Sequence, residues 1–312
     1  MPFKKPKFWD LKYISVYSFL LWPFSKIVDL INVFKKKEMK KYENIKLICA
    51  GNIYIGGTGK TSLAIEIHQM LKAKNLKSCF IKKFYVNQVD ELKLLENYGK
   101  VFSSVNRTES VNNAIINGYK FAIFDDGLQD QSINYDISFL CFNNINWVGN
   151  GLTIPAGPLR ENIKNIKKYK YIFLNGNLEN LGNIKNYIYK INPNCQIFYG
   201  IYIPLNLNEF DLSKSYLAFS GIGNHQTFIS MLKKNNFNII KDIEYPDHYN
   251  YNSYDIDKLI SIAKNLNCNL ITTEKDFLRL NNENKNKVKF IKTKLQIKEK
   301  EKLLSIILST NE

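Results

Sequence analysis

The chain has 312 residues, enough for one large or two ordinary α/β domains, each with its own hydrophobic core. Hydrophobic residues make up 45% of it, which excludes wholesale disorder. The net charge of +16 predicts an anionic partner, either nucleic acid or an acidic lipid surface. The alternative is that the charge only reflects a proteome rich in lysine. The five cysteines are odd in number and form no CxxC pair, so we expect reduced thiols without a zinc site.

Residues 1–41 form a basic segment around an apolar stretch, with ten lysines against three acidic residues. Its longest uncharged run, Tyr13–Ser25, is shorter than the roughly 20 residues that a helix needs to cross a bilayer. Apolar side chains from Ile14 to Ile31 recur at helical spacing, and a polar stripe runs beside them. We therefore predict an amphipathic helix, kinked or broken at Pro23, that lies on an anionic membrane surface. A helix docked on the protein's own core is the alternative.

From Ile45 onward, short apolar runs alternate with helical stretches, which is typical of parallel strands joined by crossover helices. The first series has predicted strands at Ile45–Ala50, Ser78–Ile81, Phe121–Phe124, Ile137–Phe142 and Tyr171–Leu174, with helices at Ser62–Lys74 and Ser110–Asn117. The second has strands at Tyr216–Ser220, Phe237–Ile243, Leu270–Thr273 and Val288–Ile291, with helices at Gln226–Lys234, Asp255–Leu266 and Lys298–Leu308. We predict an α/β fold with a parallel-sheet domain at 42–205 and a smaller C-terminal α/β domain at 206–312, joined around Pro204–Ser213.

A glycine-rich stretch separates the first predicted strand from the first predicted helix. Its glycines can aim backbone N–H groups at phosphate oxygens, while Lys60 would reach the β- and γ-phosphates and the Thr61 hydroxyl would ligate Mg²⁺. The candidate nucleotide-binding residues are Gly56, Gly57, Thr58, Gly59, Lys60, Thr61 and Ser62. An ordinary glycine turn can also contain Gly-Lys-Thr, but the strand–loop–helix context favours an ATP-binding P-loop, so the 42–205 domain is predicted to be P-loop NTPase-like. Tyr54 stands where a P-loop usually has glycine, and Ile55 stands where ParA/MinD-type ATPases carry a signature lysine.

Two acids close the predicted strand Phe121–Phe124. Asp125 and Asp126 are therefore expected in the crevice at the carboxyl ends of the strands, where open α/β sheets bind ligands. One of them, with Asp125 preferred, can hold Mg²⁺ directly or through water. A solvated Asp-Asp-Gly turn is the alternative.

Phosphoryl transfer to a hydroxyl also needs a group that accepts its proton. Of the three histidines, His68 lies within the helix after the glycine loop and is expected to be structural. His248 follows a predicted strand of the second series, and Asp90, next to Glu91, lies in a predicted loop of the first. A carboxylate and an imidazole from the two domains could form a base with an orienting partner only across a cleft.

A series of segments covers most of the chain in a distinctive order. They are Gly51-Asn52 with Gly56–Thr61, Asp90-Glu91, Asp125-Asp126-Gly127 with Gln129, Gly149-Asn150-Gly151, Pro155-Ala156-Gly157-Pro158-Leu159-Arg160-Glu161, Ser220-Gly221-Ile222-Gly223, Asp247-His248 and Thr272-Thr273-Glu274-Lys275-Asp276. In this order and spacing the chain resembles the tetraacyldisaccharide 4′-kinase family of lipid A biosynthesis.

The resemblance implies transfer of the ATP γ-phosphate to the 4′-hydroxyl of a tetraacylated, 1-phosphorylated glucosamine disaccharide, the lipid A precursor, to give lipid IVA. It implies two α/β/α domains and an N-terminal helix on the inner leaflet, at the cytoplasmic face of the inner membrane of a Gram-negative bacterium. By the same resemblance, Asp90 is the catalytic base assisted by His248, and Lys60 and Arg160 are phosphate and transition-state ligands. The implied metal shell is Thr61, Asp125, Asp126, Gln129 and Glu161.

Some positions depart from the family pattern. The family usually carries Ser-Arg-Gly-Tyr where this chain has Lys82-Lys83-Phe84-Tyr85. It commonly has histidine at the position of Asp130, and proline often follows its Ser-Gly-Ile-Gly-Asn run, at the position of His225. A membrane-associated P-loop NTPase that acts as a switch or partner-binding module is the second interpretation. A nucleic-acid-binding protein is the third, but the sequence carries no RNA- or DNA-binding signature, so we expect no nucleic acid partner.

Overall fold

The computed structural model describes residues 5–34, 39–85 and 89–309, with the backbone alone at 33, 34, 89 and 90. These residues form two compact units. The larger unit holds Pro6–Gly200 and the C-terminal segment from Ile297, and the smaller unit holds Ile201–Gln296.

Strands and helices alternate along the chain as the periodicity predicts. In chain order they are α1 (Val16–Phe34), β1 (Lys46–Gly51), α2 (Lys60–Ala73), β2 (Ser78–Lys83), α3 (Val89–Glu96), β3 (Val101–Ser104), α4 (Arg107–Ile116), β4 (Phe121–Asp125), β5 (Ile137–Asn143), β6 (Tyr171–Asn175), α5 (Leu181–Ile191), β7 (Gln196–Pro204), β8 (Ser215–Ser220), α6 (His225–Lys234), β9 (Asn238–Glu244), α7 (Ser253–Asn265), β10 (Asn269–Thr273), α8 (Glu274–Leu278), α9 (Asn282–Lys285), β11 (Lys289–Ile291), β12 (Thr293–Ile297) and α10 (Lys300–Leu308).

The main sheet has the strand order β12-β7-β6-β5-β1-β4-β2-β3. All neighbouring strands in the part of the sheet that runs from β7 to β3 are parallel. Its central strands are near-continuous apolar runs because both faces of a parallel sheet are covered by helices. Since β1 lies between β4 and β5, the strand order reverses at the carboxyl end of β1. Such a reversal is where open α/β sheets bind ligands.

The first helix, α1, is packed on the larger unit by its polar stripe. Ser18 and Ser25 are buried, whereas the apolar side chains Tyr17, Phe24 and Ile27 are more than half exposed. This arrangement is the reverse of an ordinary surface helix, which turns its apolar stripe inward. The helix also continues through Pro23, so the predicted break there is wrong. No helix in the described part of the chain is long and apolar enough to span a bilayer.

The smaller unit is a parallel sheet in the order β11-β10-β8-β9. A chain of hydrogen bonds links elements of this unit: Ser220 Oγ lies 2.7 Å from His225 Nδ1, and His225 Nε2 lies 2.8 Å from Asp242 Oδ2. Ser220 and His225 are almost wholly buried, so this histidine, which departs from the family pattern, is a structural link between α6 and β9.

Three sequence-based predictions differ from the structure. The compact units divide the chain differently from the predicted boundaries 1–41, 42–205 and 206–312: α1 is part of the larger unit, and the chain returns to that unit at Ile297. The return has a physical cause, because α10 buries one face, including Leu303, and packs on α2. Asp90 and Glu91 lie in the first turn of α3 instead of a loop.

Candidate nucleotide and metal site

The glycine loop between β1 and α2 is shaped by two buried asparagines. α2 begins at Lys60 directly after Gly59, whose φ of +77° glycine adopts without steric cost. The side chain of Asn52, just after β1, donates a hydrogen bond to Thr58 Oγ1 at 2.7 Å, and that of Asn175, the last residue of β6, donates to Thr58 O at 2.6 Å. These amides fix the loop in front of a helix N-terminus, a geometry that suits an anion.

Tyr54 explains why this loop can lack the usual glycine. Its ring is buried in the core of the larger unit, and its hydroxyl donates a 2.6 Å hydrogen bond to Asp10 Oδ1. The position is therefore filled by a packed side chain that ties the residues before α1 to the loop.

Two cationic side chains of the predicted phosphate site form ion pairs with the same carboxylate, that of Asp126. Lys60 Nζ lies 3.7 Å from Asp126 Oδ2, and Arg160 Nη1 lies 2.9 Å from Asp126 Oδ1. Burial by itself raises the pKa of Asp126, but the charges of Lys60 and Arg160 outweigh it and lower that pKa. The pKa of Lys60 is likewise lowered by burial and raised by Asp126, with a net increase, so Lys60 and Asp126 are both ionised at neutral pH. The structure brings together the residues that the sequence had assigned to phosphate and metal binding.

Asp125, the last residue of β4, is fully buried and faces Thr61. The Thr61 hydroxyl lies 3.2 and 3.1 Å from the two Asp125 oxygens. The same carboxylate accepts a 2.6 Å hydrogen bond from Lys82 Nζ, and Lys82 also donates at 2.6 Å to Glu91 on α3. Burial lowers the pKa of Lys82, but Asp125 and Glu91 outweigh it, so that pKa is raised and the lysine is an ammonium. A buried Asp–Lys–Glu chain thus joins β4, β2 and α3.

The oxygen atoms of Thr61 and Asp125 fit a magnesium ion. Hydroxyl and carboxylate oxygens are the ligands Mg²⁺ prefers, and it typically takes one or two protein carboxylates and completes its shell with water and substrate phosphates. Across the described ranges, no group of three or more histidine, cysteine, aspartate or glutamate side chains could hold a metal by itself. Two such oxygen donors would suit a Mg²⁺ ion that also binds a nucleotide phosphate.

Gln129 and Glu161, also predicted as metal ligands, lie beside Arg160. The Gln129 Oε1 atom accepts from Arg160 Nη1 at 3.0 Å, and its Nε2 donates to Glu161 Oε1 at 3.2 Å. Gln129 Nε2 also donates to Asn52 O at 2.7 Å. The two residues therefore form a polar layer around the arginine, next to the loop.

Asp130, a departure from the family pattern, has a local role. It pairs with Arg107 at 3.0 Å, and Arg107 Nη2 donates a 2.7 Å hydrogen bond to Asp126 O. The arginine is buried and holds the turn that carries the two acids of the site. Sequence reasoning had not selected Arg107, since an isolated arginine at a helix start has no motif.

The predicted base and its partner are on separate units. The side chain of Asp90 lies outside the described residues. His248 follows β9 in the smaller unit, with a positive φ of +58°. Its backbone N–H donates to Gly221 O at 3.1 Å, and its Nδ1 lies 3.4 Å from Arg279 Nη2. Arg279 is itself held by buried Asp276 at 3.1 Å, so an ion pair supports the histidine loop.

A strand, a glycine loop and a helix start, with a buried acid facing the P-loop threonine, define a P-loop nucleotide-binding enzyme of the α/β class. The chain belongs to the tetraacyldisaccharide-1-P 4′-kinase (LpxK) family, whose model matches residues 17–312.

Relatives and a solved structure agree with this membership. The chain is 55% identical to a tetraacyldisaccharide 4′-kinase from Pelagibacter ubique (strain HTCC1062), over 100% of this chain and 99% of that protein. It is 35% identical to one from Rickettsia canadensis (strain McKiel), over 90% of each. The crystal structure of LpxK from Aquifex aeolicus in complex with ATP matches with a TM-score of 0.66 and 22% identity, covering 93% of this chain and 98% of that one. The last comparison shows a shared fold.

Proposed function

We propose that this protein transfers the γ-phosphate of ATP to the 4′-hydroxyl of a tetraacylated, 1-phosphorylated glucosamine disaccharide, which yields lipid IVA. Family membership supports the reaction. One observation in the site carries the proposal: the Thr61 hydroxyl and the Asp125 carboxylate lie within 3.2 Å of each other, one residue from Lys60. The proposed phosphate and metal ligands thus lie together at the start of α2.

The larger unit supplies the phosphate side of the reaction. Backbone N–H groups of the glycine loop and the start of α2 bind the phosphates, with Lys60 and Arg160 placed to neutralise charge that develops during transfer. Thr61 and Asp125 would hold Mg²⁺, which neutralises phosphate charge when bound. Gln129, itself hydrogen-bonded to Glu161, orients Arg160, and Asp126 holds Lys60 and Arg160 together before the nucleotide arrives.

Asp90 is the proposed base, with His248 as its assistant. As the bond between the acceptor oxygen and the γ-phosphorus forms, the bond from that phosphorus to the bridging oxygen breaks and ADP leaves. The hydroxyl proton passes to the Asp90 carboxylate. Glu91, the next residue, is anchored to Lys82, which fixes the first turn of the helix that carries Asp90.

The acceptor is a lipid, and α1 is the proposed contact with the membrane that holds it. Its apolar side chains face away from the protein, with Tyr17 at 68% and Phe24 at 57% exposure. Trp22 is partly exposed, and Lys26 Nζ lies 5.4 Å from the centre of its ring. An exposed apolar face combined with lysines is typical of helices that lie in the headgroup region of an anionic leaflet. We therefore place the protein peripherally on the cytoplasmic face of the inner membrane of a Gram-negative bacterium.

The test measures ATP consumption with and without the disaccharide lipid, in the presence of Mg²⁺. The expected result is strict dependence on the acceptor and its loss in the Lys60→Ala variant, since phosphate positioning is removed. Lys72→Ala, an exposed lysine on the same helix, is the matched control and should behave like the parent protein. Turnover that ignores the lipid would instead support an NTPase switch.

A further inference from the structure

The backbone of the loop that carries Arg160 is hydrogen-bonded to residues Ile53–Ile55, which lead into the glycine loop and are called the P-loop approach. Ile55 N donates to Pro158 O at 2.8 Å, and Arg160 N donates to Ile53 O at 2.6 Å. Tyr54 and Leu159 form a bridge between these two hydrogen bonds. The position of the Arg160 side chain is therefore set by a short backbone ladder next to the phosphate site.

The same loop is bound by the polar face of α1. The buried Ser25 hydroxyl donates to Thr153 O at 2.7 Å and accepts from Ala156 N at 3.0 Å. Seven residues further along the helix, Asn32 Nδ2 donates to Arg160 O at 3.2 Å. The serine and the asparagine thus satisfy backbone groups at both ends of the segment 153–160.

Further contacts extend this interface on both sides. Asn150 Nδ2 donates to Ser18 Oγ at 2.9 Å, and Asn162 Nδ2 donates to Asp29 Oδ2 at 3.3 Å. Trp9, before the helix, donates from its indole N–H to Pro155 O at 2.9 Å. Hydrogen bonds to buried backbone groups are costly to lose because the freed group finds no water. The polar face of α1 therefore serves as a clamp for this loop.

We infer that Ser25 and Asn32 are positioning residues for Arg160, so that the helix with the exposed apolar face is a fixed part of the phosphate site and not a detachable anchor. The inference rests on the proposed function for the role of Arg160 and deepens it. Only one layer of backbone, the segment 153–160, separates α1 from the P-loop approach at Ile53–Ile55. The same hydrogen bonds thus determine how α1 contacts the lipid surface and how the transferred phosphate is aligned.

A direct test needs no substrate. Amide hydrogen exchange of the full chain should be faster at Ala156 and in the rest of 153–160 in Ser25→Ala, because the hydroxyl that accepts from the Ala156 N–H is gone. Asn32→Asp, which keeps the shape but removes the donor, should loosen the Arg160 end. Ile27→Ala, on the exposed side of α1, is the control and should leave the segment unchanged. Equal exchange in parent and Ser25→Ala would overturn the inference.

A second test uses the detergent-dispersed disaccharide lipid, so that membrane retention plays no part. Ser25→Ala should lower kcat about 10- to 100-fold through misplacement of Arg160, with ATP affinity near that of the parent. In an Arg160→Ala background, Ser25→Ala should cost little more, because both changes act through one side chain. Fully additive losses would overturn the inference. A parent protein that fails to phosphorylate the lipid would refute the proposed function, while the exchange test would still stand.

Discussion

Lys82 Nζ lies 2.6 Å from Asp125 Oδ2, and both side chains are almost completely buried. The second partner of this lysine, Glu91, is also 2.6 Å away. The ammonium therefore neutralises the acid that ends β4 and connects it with the helix that carries Asp90. Hydrogen bonds through Lys82 thus connect the strand that ends in the proposed metal-binding acid with the helix that carries the proposed base.

Replacing Lys82 by Met should strongly destabilise the protein. The change removes the hydrogen-bonded counter-charge of two buried carboxylates, and breaking a buried pair by removing one partner costs about 3–5 kcal/mol. Urea unfolding of the parent and the variant measures this loss. The double variant Lys82→Met with Glu91→Gln should recover part of the lost stability, because it removes the charge of one of the two carboxylates that had paired with Lys82.

The neighbouring Lys83 provides the control. Its side chain is only half-buried and lies over the Tyr85 ring at 5.6 Å, so Lys83→Met should change stability little. A Lys82→Met protein within about 0.5 kcal/mol of the parent would contradict the buried ion-pair chain.

Asp90→Asn should depress kcat about 10²- to 10⁴-fold, the usual contribution of a general base, while ATP binding stays close to that of the parent. Steady-state kinetics with the disaccharide lipid, together with equilibrium ATP binding, separates the two effects. Glu96→Gln, an exposed carboxylate on the same helix, is the matched control. A change restricted to KM would reassign Asp90 to substrate binding.

Membrane retention should depend on the exposed side of α1. Phe24→Ser combined with Ile27→Ser should weaken binding to vesicles containing anionic phosphatidylglycerol by at least about tenfold, because two exposed apolar side chains lose their lipid contact. Binding of the parent should fall as salt is raised. Val105→Ser, which removes an exposed apolar side chain elsewhere on the larger unit, should leave retention unchanged. Retention on duplex DNA but not on these vesicles would favour a nucleic-acid partner.

The lowered pKa of Asp126 predicts how the unfolding free energy of the protein changes in acid. Its pKa is lowered in the folded state, so it stabilises the fold above the ordinary aspartate pKa of about 3.9, and this contribution is lost as pH falls through the folded value. The unfolding free energy of Asp126→Asn should therefore lie below that of the parent by a constant amount from neutral pH to about pH 5, and the gap should close at lower pH. Urea unfolding at a series of pH values measures the gap. A gap that widens in acid would contradict the ion pairs with Lys60 and Arg160.

Local patterns predicted much of the fold and the phosphate site. The glycine loop and the acids at the end of β4 are local sequence motifs, and each strand that was predicted lies within two residues of its observed ends. The edge strand β3, the nine-residue β7 and the five-residue β12 were missed. β3 and β12 are short and have few buried side chains, whereas the apolar run of β7 is only partly buried and is interrupted by Gly200, so none of the three has a clear period.

Long-range partners account for what the sequence could not show. Lys82 sits just beyond a predicted strand, and a lone lysine suggests a solvated surface, yet its partner Asp125 is 43 residues away. The serines of α1 were predicted only as part of a polar stripe, and their spacing does not indicate that Ser25 bonds to a loop 128 residues further along the chain. Such contacts depend on tertiary packing, which no local spacing encodes.

The central claim is that the P-loop site phosphorylates one hydroxyl of a lipid. Phosphorus-31 and proton correlation spectroscopy of the product made from ATP, Mg²⁺ and the tetraacyldisaccharide 1-phosphate tests it most directly. We expect a new phosphomonoester coupled to the proton at the 4′ carbon, formed by the parent protein and absent with Lys60→Ala. A phosphate attached elsewhere on the sugar, or inorganic phosphate as the only product, would contradict it.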